Sequence, residues 1–156
     1  MKKKLFSPKG ILIVLAAVFL FWNLMWIIKI CTQFLPYRDA LNKHESAGVY
    51  ILSHNGYTYS VKMPYYLSFT GNLAVVNNEN ESSLIVWPSL FGENEYGISI
   101  VAENEIGEKR TYEMFVDHTG KPIGENNNID VQDIWKKYEN EITAIFEDAK
   151  AVWGNF

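Results

Sequence analysis

The first strong signal along the chain is an apolar run from Ile11 to Ile28, ILIVLAAVFLFWNLMWII, broken only by Asn23. At 1.5 Å per residue this run makes a helix of about 27 Å, close to the roughly 30 Å hydrocarbon thickness of a bilayer. Ser7-Pro8 ahead of it has the form of a helix start, a capping hydroxyl followed by proline at the first helical position. Then the pattern changes. Pro36 opens a short segment with sparse apolar positions, which reads as a helix from Tyr37 to about Glu45, a stalk or lid ended by Gly48.

Strand periodicity follows. Val49 to Leu52 and Tyr57 to Val61 flank Asn55-Gly56, the preferred pair for a type I′ hairpin turn. Tyr57, Tyr59, Val61 and Met63 share one face, and Thr58, Ser60 and Lys62 the other, as in a half-buried strand. Further strand runs are read at Leu67–Val76 (interrupted at Gly71-Asn72), Leu84–Trp87, Tyr96–Ala102 and Thr111–Val116. The connections are short, including the polar Asn77–Glu81, so successive strands are expected to be antiparallel neighbours in a meander. Asp117-His118-Thr119-Gly120 reads as a turn, Asn126 to Asn128 as a loop, and Asp130 as the cap of a final helix. From Val131 the apolar positions 131, 134, 135, 138, 142, 145, 146, 149, 152 and 153 form a stripe at the helical period. Such a stripe needs a surface, and the apolar face of the sheet supplies it. The expected class is α+β: an N-terminal transmembrane helix, then an antiparallel meander of five or six strands packed against a C-terminal amphipathic helix. The chain divides into a cytoplasmic tail (1–10), a transmembrane anchor (11–31), a helical stalk (32–47) and an extracytoplasmic domain (48–156).

The apolar run exceeds the core of a cleaved signal and exits through Ile27-Ile28-Lys29-Ile30-Cys31 without a small-residue cleavage site. Lys29 and Ile30 stand where a lipobox would place small residues, so Cys31 reads as a free thiol. Lys2, Lys3, Lys4 and Lys9 crowd the N-terminal flank, which by the positive-inside rule keeps that end in the cytoplasm. Trp22, Trp26 and Lys29 suit the outer membrane interface, and Asn23 is a candidate for pairing with another helix.

Charge sharpens the division. The formal net charge of −4 conceals 18 acidic residues that all follow Lys29, against nine of the 14 Lys and Arg, so the outer portion carries about −9. That surface argues against nucleic acid and against lying flat on an anionic leaflet. One cysteine excludes an internal disulfide framework and a cysteine-based zinc cage; packing must stabilise the domain, with an aromatic content of 15% to supply it.

Candidate chemistry is thin. His44, His54 and His118 have no metal-binding spacing, and no G-x-S-x-G, P-loop or G-x-G-x-x-G occurs. The acidic loops at 77–81, 93–95, 103–108 and 125–130 offer oxygen ligands without the spacing of an EF-hand. Asn80-Glu81-Ser82 has the form of a glycosylation sequon. Tyr65-Tyr66 and Trp87-Pro88-Ser89-Leu90-Phe91 are expected in the core under the final helix, with an exposed aromatic binding surface as the alternative.

Two stretches resemble known families. Lys9-Gly10 before an apolar helix resembles the processing site of type IV pilins and pseudopilins, although Leu15 stands where that family carries glutamate. This resemblance implies a pilin-like subunit of a secretion or uptake machine whose mature chain starts at Ile11. Thr111 to Gly120, TYEMFVDHTG, is similar to the closing strand and turn of PepSY-type domains, and no function is carried across from it.

The expectation is a single-pass cell-membrane protein, bacterial by residue usage, with no catalytic, cofactor or metal residues. It acts as an accessory or binding protein through contact with an envelope or membrane partner. The alternatives are the pilin-like subunit and an envelope hydrolase using His54, Asp117 and His118.

Overall fold

The computed structural model describes residues 7–41, 45–46, 48–103, 107–123 and 129–156. Lys2 to Lys4, Lys43, His44, the Asn126–Asn128 loop and parts of the 103–108 and 125–130 loops lie outside the described residues.

The apolar run lies in α1, Pro8–Gln33, begun as expected by the Ser7 hydroxyl, which accepts from the Gly10 N–H at 3.1 Å. With α2, Leu35–Ala40, it forms a helical segment long and apolar enough to cross a membrane. No α1 residue is buried, and Leu12, Ile13, Leu20 and Phe21 are each more than 60% exposed. The stalk helix, expected to run to about Glu45, ends at Ala40, because Leu41 turns into the core and takes an extended conformation. Glu45–Ser46 is a two-residue strand, β1, rather than the end of a helix.

Six longer strands continue the sheet: β2 (Val49–His54), β3 (Tyr57–Lys62), β4 (Asn72–Asn77), β5 (Ser83–Trp87), β6 (Glu95–Glu103) and β7 (Lys109–Val116). They pair in sequence order, each antiparallel to the next, which is the expected meander. Asn55 and Gly56 both have positive φ, 49° and 82°, as a type I′ turn requires. One strand expectation is corrected. Residues 63–71 are a loop rather than the first half of a Leu67–Val76 strand; Tyr65 N–H donates to Thr70 O and Phe69 N–H to Tyr65 O, closing a turn between Pro64 and Gly71.

α3, Ile129–Trp153, covers one face of the sheet. It starts at Ile129, so Asp130 lies in its first turn and is not the residue before it. Its stripe behaves as read: Ile142, Ile145, Phe146, Ala149 and Trp153 are buried, and Val131, Ile134, Trp135, Tyr138 and Val152 pack around them. Beneath lie Tyr59 and Val61 of β3, Leu73 and Val75 of β4, Leu84 and Val86 of β5, and Ile98 and Ile100 of β6. Phe34, between α1 and α2, is fully buried in the same core.

Candidate functional site

The period of two that builds the core also sets the opposite face. Strand register places Ile85 opposite Gly97 and Phe115 beside Gly97, so these three share the face turned away from α3. Trp87 belongs to the same face, since it alternates with the buried Leu84 and Val86. The expectation that the Trp87–Phe91 stretch lies under the final helix is therefore corrected for Trp87. Pro88 is buried, while Phe91 is 79% exposed in the β5–β6 connection. Tyr65, also expected in the core, is 59% exposed.

Ile85, Trp87, Gly97, Ser99, Glu113 and Phe115 line a shallow depression of about 470 Å³. Gly97 is its floor. A Cβ there would stand 2.9 Å from the Trp87 ring, so the missing side chain lets the indole lie against the sheet. Trp87 and Phe115 meet with centroids 6.0 Å apart at 44°, and Phe115 is 55% exposed. The lining is apolar and aromatic, with one carboxylate, Glu113, at the side. Such a surface recognises apolar groups and has a place for one positive charge.

The residues expected at the membrane interface come together with a part of the chain that periodicity had assigned elsewhere. Trp22 Nε1 donates to Tyr66 O at 3.2 Å, and its ring meets Phe69 edge-on at 4.8 Å. Trp26 meets the Tyr66 ring at 5.2 Å. Asn23 accepts from the Tyr66 hydroxyl at 3.0 Å and donates to Phe19 O at 2.7 Å, so both ends of its amide are engaged within the chain. Lys29 lies beside Lys62, Ser68, Thr70 and Asn72 around a second depression of about 360 Å³, which Phe69, Trp87 and Pro88 also line.

The two histidines among the described residues, His54 and His118, do not converge. His54 closes β2 at the hairpin turn, whereas His118 follows β7 at the other end of the sheet. Among the described residues no three His, Cys, Asp or Glu side chains gather as a metal site would require. Asp117 is a turn residue. Burial raises its pKa, but hydrogen bonds from the Thr119 hydroxyl and from the Lys121 and Thr119 N–H groups outweigh this and hold it below the usual carboxylate value.

Sequence reasoning missed Phe115, Gly97 and the Tyr66–Phe69 contacts. The alternation of Tyr96, Ile98 and Ile100 with Gly97 and Ser99 held the signal for the first two, once paired with the phase of β7. No protein-family model, curated protein or solved structure matches this chain.

Proposed function

We propose that the protein is a membrane-anchored accessory protein of the cell envelope that holds the open face of its sheet toward a partner protein. The anchor is α1, with the lysine-rich end in the cytoplasm and the sheet domain outside. Its support is the length of the helix and the exposure of its apolar residues from Ile11 to Leu24, which in water would leave a patch far larger than soluble proteins tolerate. The observation that carries the binding role is the Trp87–Phe115 depression, left uncovered on the face opposite α3. The partner fitting it is an apolar segment with a basic residue beside it, since Glu113 flanks the depression and the outer portion of the chain is acidic.

A photo-crosslinking residue at position 115 of the full-length protein in its native membrane tests this. A discrete adduct is expected from position 115, absent from position 53 on the distant hairpin, and lost on Trp87→Ser. No adduct from 115, or an adduct indifferent to Trp87→Ser, overturns the binding role. The pilin-like alternative has less support, because α3 and not the apolar helix covers the sheet.

A further inference from the structure

We propose that the β3–β4 loop, residues 64–71, is a second membrane element, immersed at the boundary between headgroups and acyl chains in the same leaflet as the end of α1. The proposal rests on the reading of α1 as a spanning helix and adds a depth to the domain.

The loop is hydrogen-bonded to α1 at Trp22 and Asn23 and packs against Trp26. Were those residues in water, only Ile11 to Phe21 would remain for the bilayer, about 16 Å of helix against a hydrocarbon core of roughly 30 Å. A spanning α1 must therefore carry Trp22 inside the apolar region, about 9 Å short of Ile28, and the loop goes with it. That depth matches the roughly 5–10 Å at which apolar faces of interfacial elements bury.

The loop is built for that place. Residues 63–71, MPYYLSFTG, contain no charge. Leu67 is 80% exposed and Tyr65 59%, both turned away from the protein. Irregular backbone enters the acyl core only when its polar groups are satisfied internally, whereas the headgroup boundary supplies partners for the rest. Here Tyr65 N–H, Phe69 N–H, Tyr66 O and the Ser68–Thr70 hydroxyl pair have partners within the chain, and the N–H groups of Tyr66, Leu67 and Ser68 are left to that boundary. Phe69 accepts a φ of +56°, unfavourable for a bulky side chain, and its ring closes on Trp22. Charge returns at the root of the loop, where Lys62 lies over the Tyr65 ring at 5.3 Å and shares the second depression with Lys29, one residue past the apolar run. Two lysines at that level face the phosphate layer.

The test uses the full-length protein in phosphatidylcholine vesicles, with Cys31→Ser removing the native thiol. A bimane label is placed in turn at Leu67→Cys, Ala17→Cys and Glu79→Cys, and quenched by aqueous iodide or by lipids carrying a nitroxide near the headgroup or deep in the chain. The label at 67 is expected to lose most of its iodide quenching relative to 79 and to respond most to the shallow nitroxide; 17 responds to the deep one. Iodide quenching at 67 equal to that at 79, with 17 still reached by the deep nitroxide, overturns the proposal and leaves the anchor standing. Iodide access at 17 removes both. Shielding of 67 from iodide and nitroxides alike also overturns it. Tyr65→Cys gives a second position in the same loop should the first variant fold poorly.

Discussion

At the scale of single residues, Gly71 shows how little room the joint between helix and sheet leaves. A Cβ at this position would lie 2.6 Å from the Lys62 carbonyl oxygen and 2.8 Å from the Phe34 ring. The oxygen belongs to β3 and the ring is fully buried, so neither can yield freely. Gly71→Ala is expected to cost about 1–3 kcal/mol, the range of overpacked cores. Denaturant midpoints of the detergent-solubilised full-length protein measure it, and a variant as stable as the parent would mean that Phe34 is not held where the structure puts it. Gly97 differs in kind, because its close neighbour is the edge of the Trp87 ring, a side chain on the open face. A methyl group there lifts the indole and reshapes the depression more than it strains the fold.

At the scale of elements, a polar contact through the apolar layer ties α3 to the sheet: the Tyr59 hydroxyl of β3 donates to the Asp148 carboxylate. Burial raises the Tyr59 pKa well above the ordinary phenol value, and the bond to Asp148 adds to the shift. A folded pKa above the unfolded value of about 10 gives a contribution fully present below pH 10 and lost as pH rises through the folded value. Stability should therefore decline above pH 10, with Tyr57 and Tyr96, whose pKa values burial also raises, contributing to the slope. Tyr59→Phe is expected to cost about 1.5–3 kcal/mol at neutral pH, the range for a hydrogen bond to a charged group, and to flatten the alkaline decline. An unchanged slope in unfolding curves taken from pH 8 to 12 would count against the Tyr59 assignment. Both elements joined by this bond were legible in the sequence, because β3 alternates strictly and α3 repeats its stripe over the whole helix. The 63–71 loop was not. Tyr65, Leu67 and Phe69 alternate as a strand would, yet the loop is held by α1, some 40 positions earlier, through Tyr66 and Phe69, which a local period does not register. Trp87 failed for a different reason: Leu84 to Trp87 is apolar throughout, so the run carries no phase until its pairing with Tyr96 and Gly97 fixes one.

At the scale of the molecule, the apolar helix and the sheet domain are one mechanical piece. Phe34 sits where α1 gives way to α2 and is fully buried against Gly71, and Tyr37 of α2 meets Trp153 of α3 at 6.4 Å. The chain that leaves the apolar helix thus enters the domain core directly, with no free linker between them. Together with the Trp22–Phe69 and Trp26–Tyr66 contacts, this grips α1 at two levels along its axis and sets the direction in which the open face looks. Phe34→Ala in the full-length protein removes a buried ring and is expected to destabilise the domain by about 3–5 kcal/mol. The helix itself does not depend on that ring, so unfolding followed by far-ultraviolet circular dichroism should retain α1 while near-ultraviolet signals of the domain are lost at lower denaturant. Combined with Gly71→Ala the two costs should fall short of additivity, because a shortened side chain at 34 makes room for the new methyl group. Strict additivity would mean that the Phe34 ring and position 71 do not share the space the structure gives them.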